Sequence, residues 1–117
     1  MNEAVALGAN EVSNSYGATE AGDLATYAPD YPHPGVAIVA SSGDSGYGVP
    51  SSLAVYSSVV AVGGTSLAKA TNTRGWTETA WHNVGAGCSA WIEPPDRTGH
   101  RGPGRPADRA GVGLRAR

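Results

Sequence analysis

Residues 36–48 read VAIVASSGDSGYG, and this stretch decides the fold class of the chain. Residues 36–40 form a continuous apolar run of strand length, and such runs are typical of strands buried on both faces of a parallel sheet. A turn rich in glycine and serine follows the run directly. Functional residues of α/β proteins collect just beyond the carboxyl ends of parallel strands, so we expect a site in residues 41–48.

The rest of the first 93 residues supplies the other elements of an α/β layered fold, in which helical connections join parallel strands. Turn residues and apolar periodicity set the bounds of these elements. We predict a helix at residues 2–7 closed by Gly8, a strand at residues 11–16, a short helix at residues 23–27, a second buried strand at residues 58–62, and an antiparallel ribbon at residues 74–81. Trp76 and Trp81 of this ribbon are expected to pack it on the core.

The composition fits one small domain with a modest core. The chain has 117 residues, with 17 Gly, 8 Pro and no Phe, so its core rests on aliphatic residues, Tyr and Trp. No apolar run reaches the roughly 20 residues that span a bilayer, and we therefore predict no membrane partner. The first residues also lack the basic start of a signal peptide, so export is not encoded in the printed sequence.

The net charge of −2 hides a change of composition near residue 93. Residues 1–93 hold two basic and eight acidic residues, whereas residues 94–117 hold six arginines and two aspartates. This second segment is rich in Gly and Pro, and it has too few apolar residues to offset chain entropy. We predict a disordered tail at residues 94–117. An arginine-rich arm can bind nucleic-acid phosphates, but the tail lacks interleaved aromatic residues, so no nucleic acid is expected as a partner.

Gly43-Asp44-Ser45-Gly46 is the tetrapeptide that surrounds the nucleophile of chymotrypsin-like proteases, which raises the question of whether Ser45 attacks a substrate. That chemistry requires a histidine base from earlier in the chain, and His33, the one upstream histidine, lies between two prolines. The nucleophile-elbow motif of α/β-hydrolases, Gly-x-Ser-x-Gly, is also absent, because Tyr47 occupies the position of its last glycine. We therefore reject Ser45 as a nucleophile. A tight turn that needs glycine for positive φ remains the alternative reading.

Four blocks carry a resemblance to a known family: EVSNSYG, HPGVAIVASSGDSGYG, VVAVGGTSL and RGWTETAWHNVGAGCSAW, in this order. Together they resemble the sedolisin family of serine-carboxyl peptidases, which are acid-active relatives of subtilisin. The resemblance covers residues 1–93 and implies a partial peptidase domain. Its expected fold is an incomplete subtilisin-like parallel sheet flanked by helices.

The same resemblance implies that Asp44 is the residue that matters in this stretch. In the family, the aspartate of Ser-Gly-Asp-Ser-Gly lies in the oxyanion hole, and the serine beside it is not the nucleophile. A carboxyl group donates a hydrogen bond to an oxyanion only when it is protonated. Burial, a neighbouring carboxylate or an acidic medium can supply that state. A side chain that bonds turn amides is the alternative for Asp44.

Substrate-binding residues carry over from the family in the same way. Ser15, Tyr16 and Gly17 match the extended segment that runs beside the substrate backbone and accepts its hydrogen bonds. Gly43 belongs to the oxyanion block and is assigned to substrate binding with them. The resemblance also implies that residues 63–65 shape the floor of the cleft. A plain strand end and a simple turn are the alternatives for these segments.

Other reactive side chains give weak patterns. His33, His82 and His100 are scattered without the spacing of zinc ligands, so no metal site is expected. Glu20 and Asp23 are interpreted as a solvated loop rather than as a catalytic carboxylate pair. Cys88 corresponds to a family cysteine that often pairs with a second one, and because the chain has 1 Cys we expect a free thiol.

The family's remaining chemistry has no counterpart in the printed sequence. Three features of the family are missing: the nucleophilic serine of a later Gly-Thr-Ser motif, the upstream catalytic Glu and Asp, and the calcium site near the end of the domain. Gly64-Thr65-Ser66 has the letters of the serine motif, but it belongs to the earlier VVAVGGTSL block and does not replace it. No cofactor is therefore expected in this chain, although intact members of the family bind calcium. Intact members are also secreted, and their substrates are peptides or proteins. We interpret the chain as a fragment, truncated in front and frameshifted after residue 93. It is expected to be inactive alone, and a non-catalytic peptide-binding remnant is the alternative.

Overall fold

A computed structural model describes residues 1–92 and the backbone of residues 111–112. Its elements alternate strands with short helical segments over the first 62 residues, and hairpin strands follow. In chain order they are α1 (Asn2–Ala6), β1 (Glu11–Asn14), α2 (Leu24–Tyr27), a 3₁₀ turn (Ala28–Asp30), β2 (Ala37–Ser41), a second 3₁₀ turn (Ser52–Val55), β3 (Val60–Val62), β4 (Thr65–Lys69), β5 (Trp76–Ala80), β6 (Gly87–Cys88) and β7 (Gly111–Val112).

A three-stranded parallel sheet in the order β1-β2-β3 forms the centre of the fold. Asn14 pairs with Ala40, and Ala40 pairs in turn with Ala61, so β2 lies between the two others. The predicted α/β class with a parallel sheet is confirmed, and the predicted strands at residues 11–16 and 58–62 are present with shorter bounds. The helices are few and short, with five residues in α1 and four in α2.

One face of this sheet is covered and holds the core. Ile38 and Ala40 of β2 are 2% and 1% exposed, and they point to the same face because alternate residues of a strand do. Leu24 of α2 packs in one cluster with Ala40 and with residues of the second 3₁₀ turn and its end. The cluster is Leu24, Ala40, Leu53, Val55 and Tyr56, and Tyr31 stacks on Tyr56 with ring centroids 4.5 Å apart.

The opposite face of the sheet is open within the described residues. Val60 and Val62 of β3 are 57% and 49% exposed, and Ala37 of β2 is exposed as well. The prediction that residues 36–40 are buried on both faces is therefore wrong. The physical reason is topological, because two successive right-handed connections that step the same way across a sheet lie on the same face.

Strands β4 and β5 form an antiparallel hairpin, in which Leu67 pairs with Glu78. Strand β5 lies within the ribbon predicted at residues 74–81, but its partner strand β4 was not predicted. The hairpin does not pack on the core, because every residue of both strands is exposed and Trp76 is 43% exposed, although Trp81 just after β5 is half-buried. Hydrogen bonds from Thr65 and Arg74 lower the pKa of the Glu78 carboxyl. The hairpin is held by its own cross-strand contacts rather than by burial.

The last two strands, β6 and β7, lie toward the end of the chain. Strand β6 pairs antiparallel with β7. Apart from β7, the segment at residues 94–117 that was predicted to be disordered lies outside the described residues. Within the part of the chain that the structure describes, no helix is long and apolar enough to cross a membrane.

The Tyr56 hydroxyl gives a testable consequence of the core. It donates a hydrogen bond of 2.9 Å to the Leu24 carbonyl oxygen, and we expect Tyr56→Phe to lower the free energy of unfolding by about 1 kcal/mol. Tyr47→Phe is the control, because Tyr47 is 88% exposed and its substitution should leave stability unchanged. Urea unfolding at pH 7 measures both variants. Equal stability of Tyr56→Phe and the wild-type chain would show that this bond contributes nothing.

The same residue predicts how stability changes in alkali. Burial raises the pKa of the Tyr56 hydroxyl above its ordinary value of 10.0, and the neighbouring Tyr31 acts in the same direction. A raised pKa in the folded state stabilises the fold fully below pH 10, and this contribution is lost as the pH rises through the folded-state pKa. Tyr56→Phe should therefore lose less stability than the wild-type chain between pH 9 and pH 11. An unchanged alkaline slope would contradict this.

Candidate functional site

The five residues that the sequence assigns to a site line one cleft. The cleft has a volume of about 290 Å³ and lies at the carboxyl ends of β1 and β2. Its predicted members are Ser15, Tyr16, Gly17, Gly43 and Asp44, and its further lining residues are Ala18, Thr19, Ser41, Ser45, Val49, Pro50 and Ser51. Two segments that are far apart in sequence therefore face each other across this cleft, as the parallel sheet dictates.

The first wall of the cleft is the segment that leaves β1. Tyr16 and Gly17 are exposed, and neither makes a backbone hydrogen bond to another described residue. Ala18 and Thr19 are tied to the rest of the fold, since Ser52 N donates to Ala18 O over 2.9 Å and Thr19 forms an antiparallel bridge with Ser51. The wall thus presents free backbone groups next to an anchored end.

The second wall is the glycine-rich loop that leaves β2. Ser42 N donates to Val62 O over 2.8 Å, which continues the pairing with β3 by one residue. Gly43 then turns the chain with φ +105°, a left-handed conformation that residues with side chains rarely adopt. Gly85 N donates to Gly43 O over 2.6 Å from behind the loop. Gly43 therefore sits in a position that only glycine fits well, directly before Asp44.

Close packing behind this loop depends on Gly85. A Cβ atom at Gly85 would lie 2.1 Å from the Ser42 carbonyl oxygen and 2.9 Å from the Gly43 carbonyl carbon. These are backbone atoms, so the overlap cannot be relieved by rotating a side chain. The loop with Asp44 thus rests directly on the backbone of residue 85.

Asp44 is exposed at the cleft. A protonated carboxyl group can donate a hydrogen bond to an oxyanion, whereas a carboxylate can only accept one.

The described residues assemble no nucleophile-and-base pair at this cleft. The His33 ring nitrogen lies 3.1 Å from the Asp30 carbonyl oxygen, and the His82 ring packs edge-on against Trp81. Neither histidine lines the cleft beside Ser45. Within residues 1–92, no group of three or more His, Cys, Asp or Glu side chains is placed to hold a metal ion.

Three secondary predictions have different outcomes. Gly63 and Gly64 line an adjoining cavity of about 270 Å³, which shares Ser15 and Ser41 with the cleft, rather than the floor of the cleft itself. Glu20 is not simply solvated, because its Oε2 accepts a hydrogen bond of 2.9 Å from Ala90 N and its Oε1 is buried. Cys88 is a free, exposed thiol, as expected.

Sequence reasoning missed the back of the cleft. Ser51 and Ser52 are each 8% exposed, and they connect both walls. The Ser51 hydroxyl is buried without a hydrogen-bond partner among the described residues, and so is that of Ser42. A serine pair after a proline is an ordinary turn pattern, so nothing local marks these residues as part of a site.

Comparison of the chain with protein-family models, curated proteins and solved structures gives no match. The geometry of the cleft therefore carries the functional argument.

Gly85→Ala tests how the loop is supported. The methyl group would overlap backbone atoms, so we expect a loss of about 2 kcal/mol in the free energy of unfolding. Gly64→Ala is the matched control, since its Cβ would lie at an ordinary distance of 3.7 Å from the Trp81 ring. We expect that variant to stay within about 0.5 kcal/mol of the wild-type chain. Urea unfolding compares the two, and equal losses would exclude this account of Gly85.

Proposed function

We propose that residues 1–93 are part of a serine-type, acid-active endopeptidase domain of the sedolisin type, and that this chain alone binds peptide without cleaving it. One observation supports the proposal most. The residues that the resemblance assigns to substrate binding, Ser15 to Gly17 and Gly43, line a single cleft together with the assigned oxyanion donor Asp44. They come from two segments more than 25 residues apart, so their proximity does not follow from being neighbours in sequence.

Peptide binding in this cleft follows from its first wall. Tyr16 and Gly17 offer backbone N–H and C=O groups that no described residue occupies. An extended peptide can pair with such an edge, and its main-chain hydrogen bonds then supply affinity without a requirement for sequence. The cleft of about 290 Å³ leaves room for a side chain of the peptide between the two walls.

Asp44 supplies the acid-dependent part of the proposed chemistry. When a nucleophile attacks a peptide carbonyl, negative charge develops on the carbonyl oxygen, and a donor aimed at that oxygen stabilises the transition state. A protonated Asp44 donates one hydrogen bond there, whereas its carboxylate would repel the charge. The nucleophilic serine and the Glu and Asp that activate it have no counterpart in residues 1–117, so we expect binding without turnover.

The non-catalytic reading uses the same cleft but not the same chemistry. A peptide-binding remnant needs the free edge at Tyr16 and Gly17, and it makes no demand on the protonation of Asp44. The two readings therefore differ in the pH dependence of binding to a ligand that carries an oxyanion. The nucleic-acid alternative concerns the arginines of residues 94–117, which all lie outside the described residues.

Asp44→Asn and a transition-state mimic test the proposal. A peptide with a phosphinate in place of one amide presents a tetrahedral oxyanion, and we expect the wild-type chain to bind it about tenfold more tightly at pH 4 than at pH 7. Asn donates at every pH, so Asp44→Asn should bind similarly at both values. Isothermal titration calorimetry measures the four dissociation constants.

Asp23→Asn is the matched control, because Asp23 is exposed and does not line the cleft. It should keep the pH dependence of the wild-type chain. The same dependence in Asp44→Asn would show that Asp44 is not the donor. Binding by the wild-type chain that is equal at both pH values supports the non-catalytic reading, and no binding at all contradicts both.

A further inference from the structure

Ser51 and Ser52 connect the two walls of the cleft, although neither was assigned a role from the sequence. Ser52 contacts the first wall twice: its amide donates to Ala18 O over 2.9 Å, and its Oγ accepts from Ala18 N over 3.2 Å. Ser51 contacts the second wall, where its amide donates to Ser42 O over 2.9 Å. Two adjacent residues thus hold both sides.

Steric contact adds to these hydrogen bonds. A Cβ atom at Gly17 would lie 1.9 Å from the Ser51 Oγ, so Gly17 lies directly against the Ser51 side chain. Gly43 also lies against Ser51, since its Cβ position is 3.4 Å from Ser51 N. Ser51 therefore contacts both walls at the back of the cleft, and Ser52 fixes the first wall against it.

We propose that Ser52, acting through Ala18 and the adjoining Ser51, is a positioning residue that sets the distance between the peptide-binding edge and the Asp44 loop. This proposal rests on the proposed function, because the distance between the walls matters only if a peptide binds in the cleft. A peptide paired with residues 15–17 places its carbonyl oxygen relative to Asp44 only if the two walls keep a fixed separation. Small displacements of such groups reduce binding and reactivity strongly.

Ser52→Ala is the central variant, because it removes the Oγ acceptor from Ala18 N and changes little else. The first readout is the amide NMR spectrum of the free chain. We expect faster hydrogen exchange at Ala18 and shifted amide signals at Gly43 and Asp44 on the opposite wall. Ser57→Ala, at an exposed serine that does not line the cleft, should move none of these signals.

The second readout is affinity for the phosphinate peptide at pH 4. Loss of the hydrogen bond from Ala18 N to the Ser52 hydroxyl should weaken binding by Ser52→Ala about tenfold, while Ser57→Ala binds as the wild-type chain does. Ser52→Thr keeps the hydroxyl and should restore both the affinity and the Gly43 signal. A general loss of folding, by contrast, would shift signals throughout the sheet.

Several outcomes would overturn the proposal. If the signal changes in Ser52→Ala stop at residues 17–19, the serine pair does not couple the walls, whether or not peptide binds. If the signals move across the cleft but the affinity is unchanged, the separation has no role in binding and the proposed function still stands. If the wild-type chain binds no phosphinate peptide, the proposed function fails, and the role of Ser52 in binding fails with it.

Discussion

The parallel pairing of β2 with both of its neighbours is the constraint on which the rest of the structure depends. Because the three strands run in one direction, the chain leaves all of them at the same edge. Neighbouring strands lie about 4.8 Å apart, so the exits of β1 and β2 begin side by side and then diverge. The cleft is the space between these diverging exits, and its two walls are the first residues after each strand. The position of the site thus follows from the topology before any side chain is considered.

The same topology explains why the sheet is covered on one face. Both connections between its strands lie on the side of Ile38 and Ala40, and Leu24, Leu53 and Tyr56 pack there. Val60 and Val62 on the other side remain about half exposed, so they contribute less burial energy than the residues of the covered face. The buried apolar contacts of the sheet are therefore concentrated in one small cluster on its covered face.

Much of the fold could be predicted from the sequence because its signals are local. The apolar run at residues 36–40 and the glycines after it determine a strand and its exit, and the structure has both. The exposed faces could not be predicted, since an apolar residue such as Val60 looks the same in sequence whether another element covers it or not. The prediction that Trp76 packs on the core was wrong for the same reason. An alternating apolar and polar pattern predicts a strand, but it does not indicate against which surface the strand packs.

The site shows the same division between local and distant information. The resemblance assigned Asp44 and the segment at residues 15–17 from short motifs, and the parallel sheet brings them to one cleft. Ser51 and Ser52 were missed because their importance comes from contacts with Ala18 and Ser42, which lie 34 and 9 residues away from them in the chain. Contacts of that kind arise from the register of the sheet, and no motif at the serines themselves encodes them.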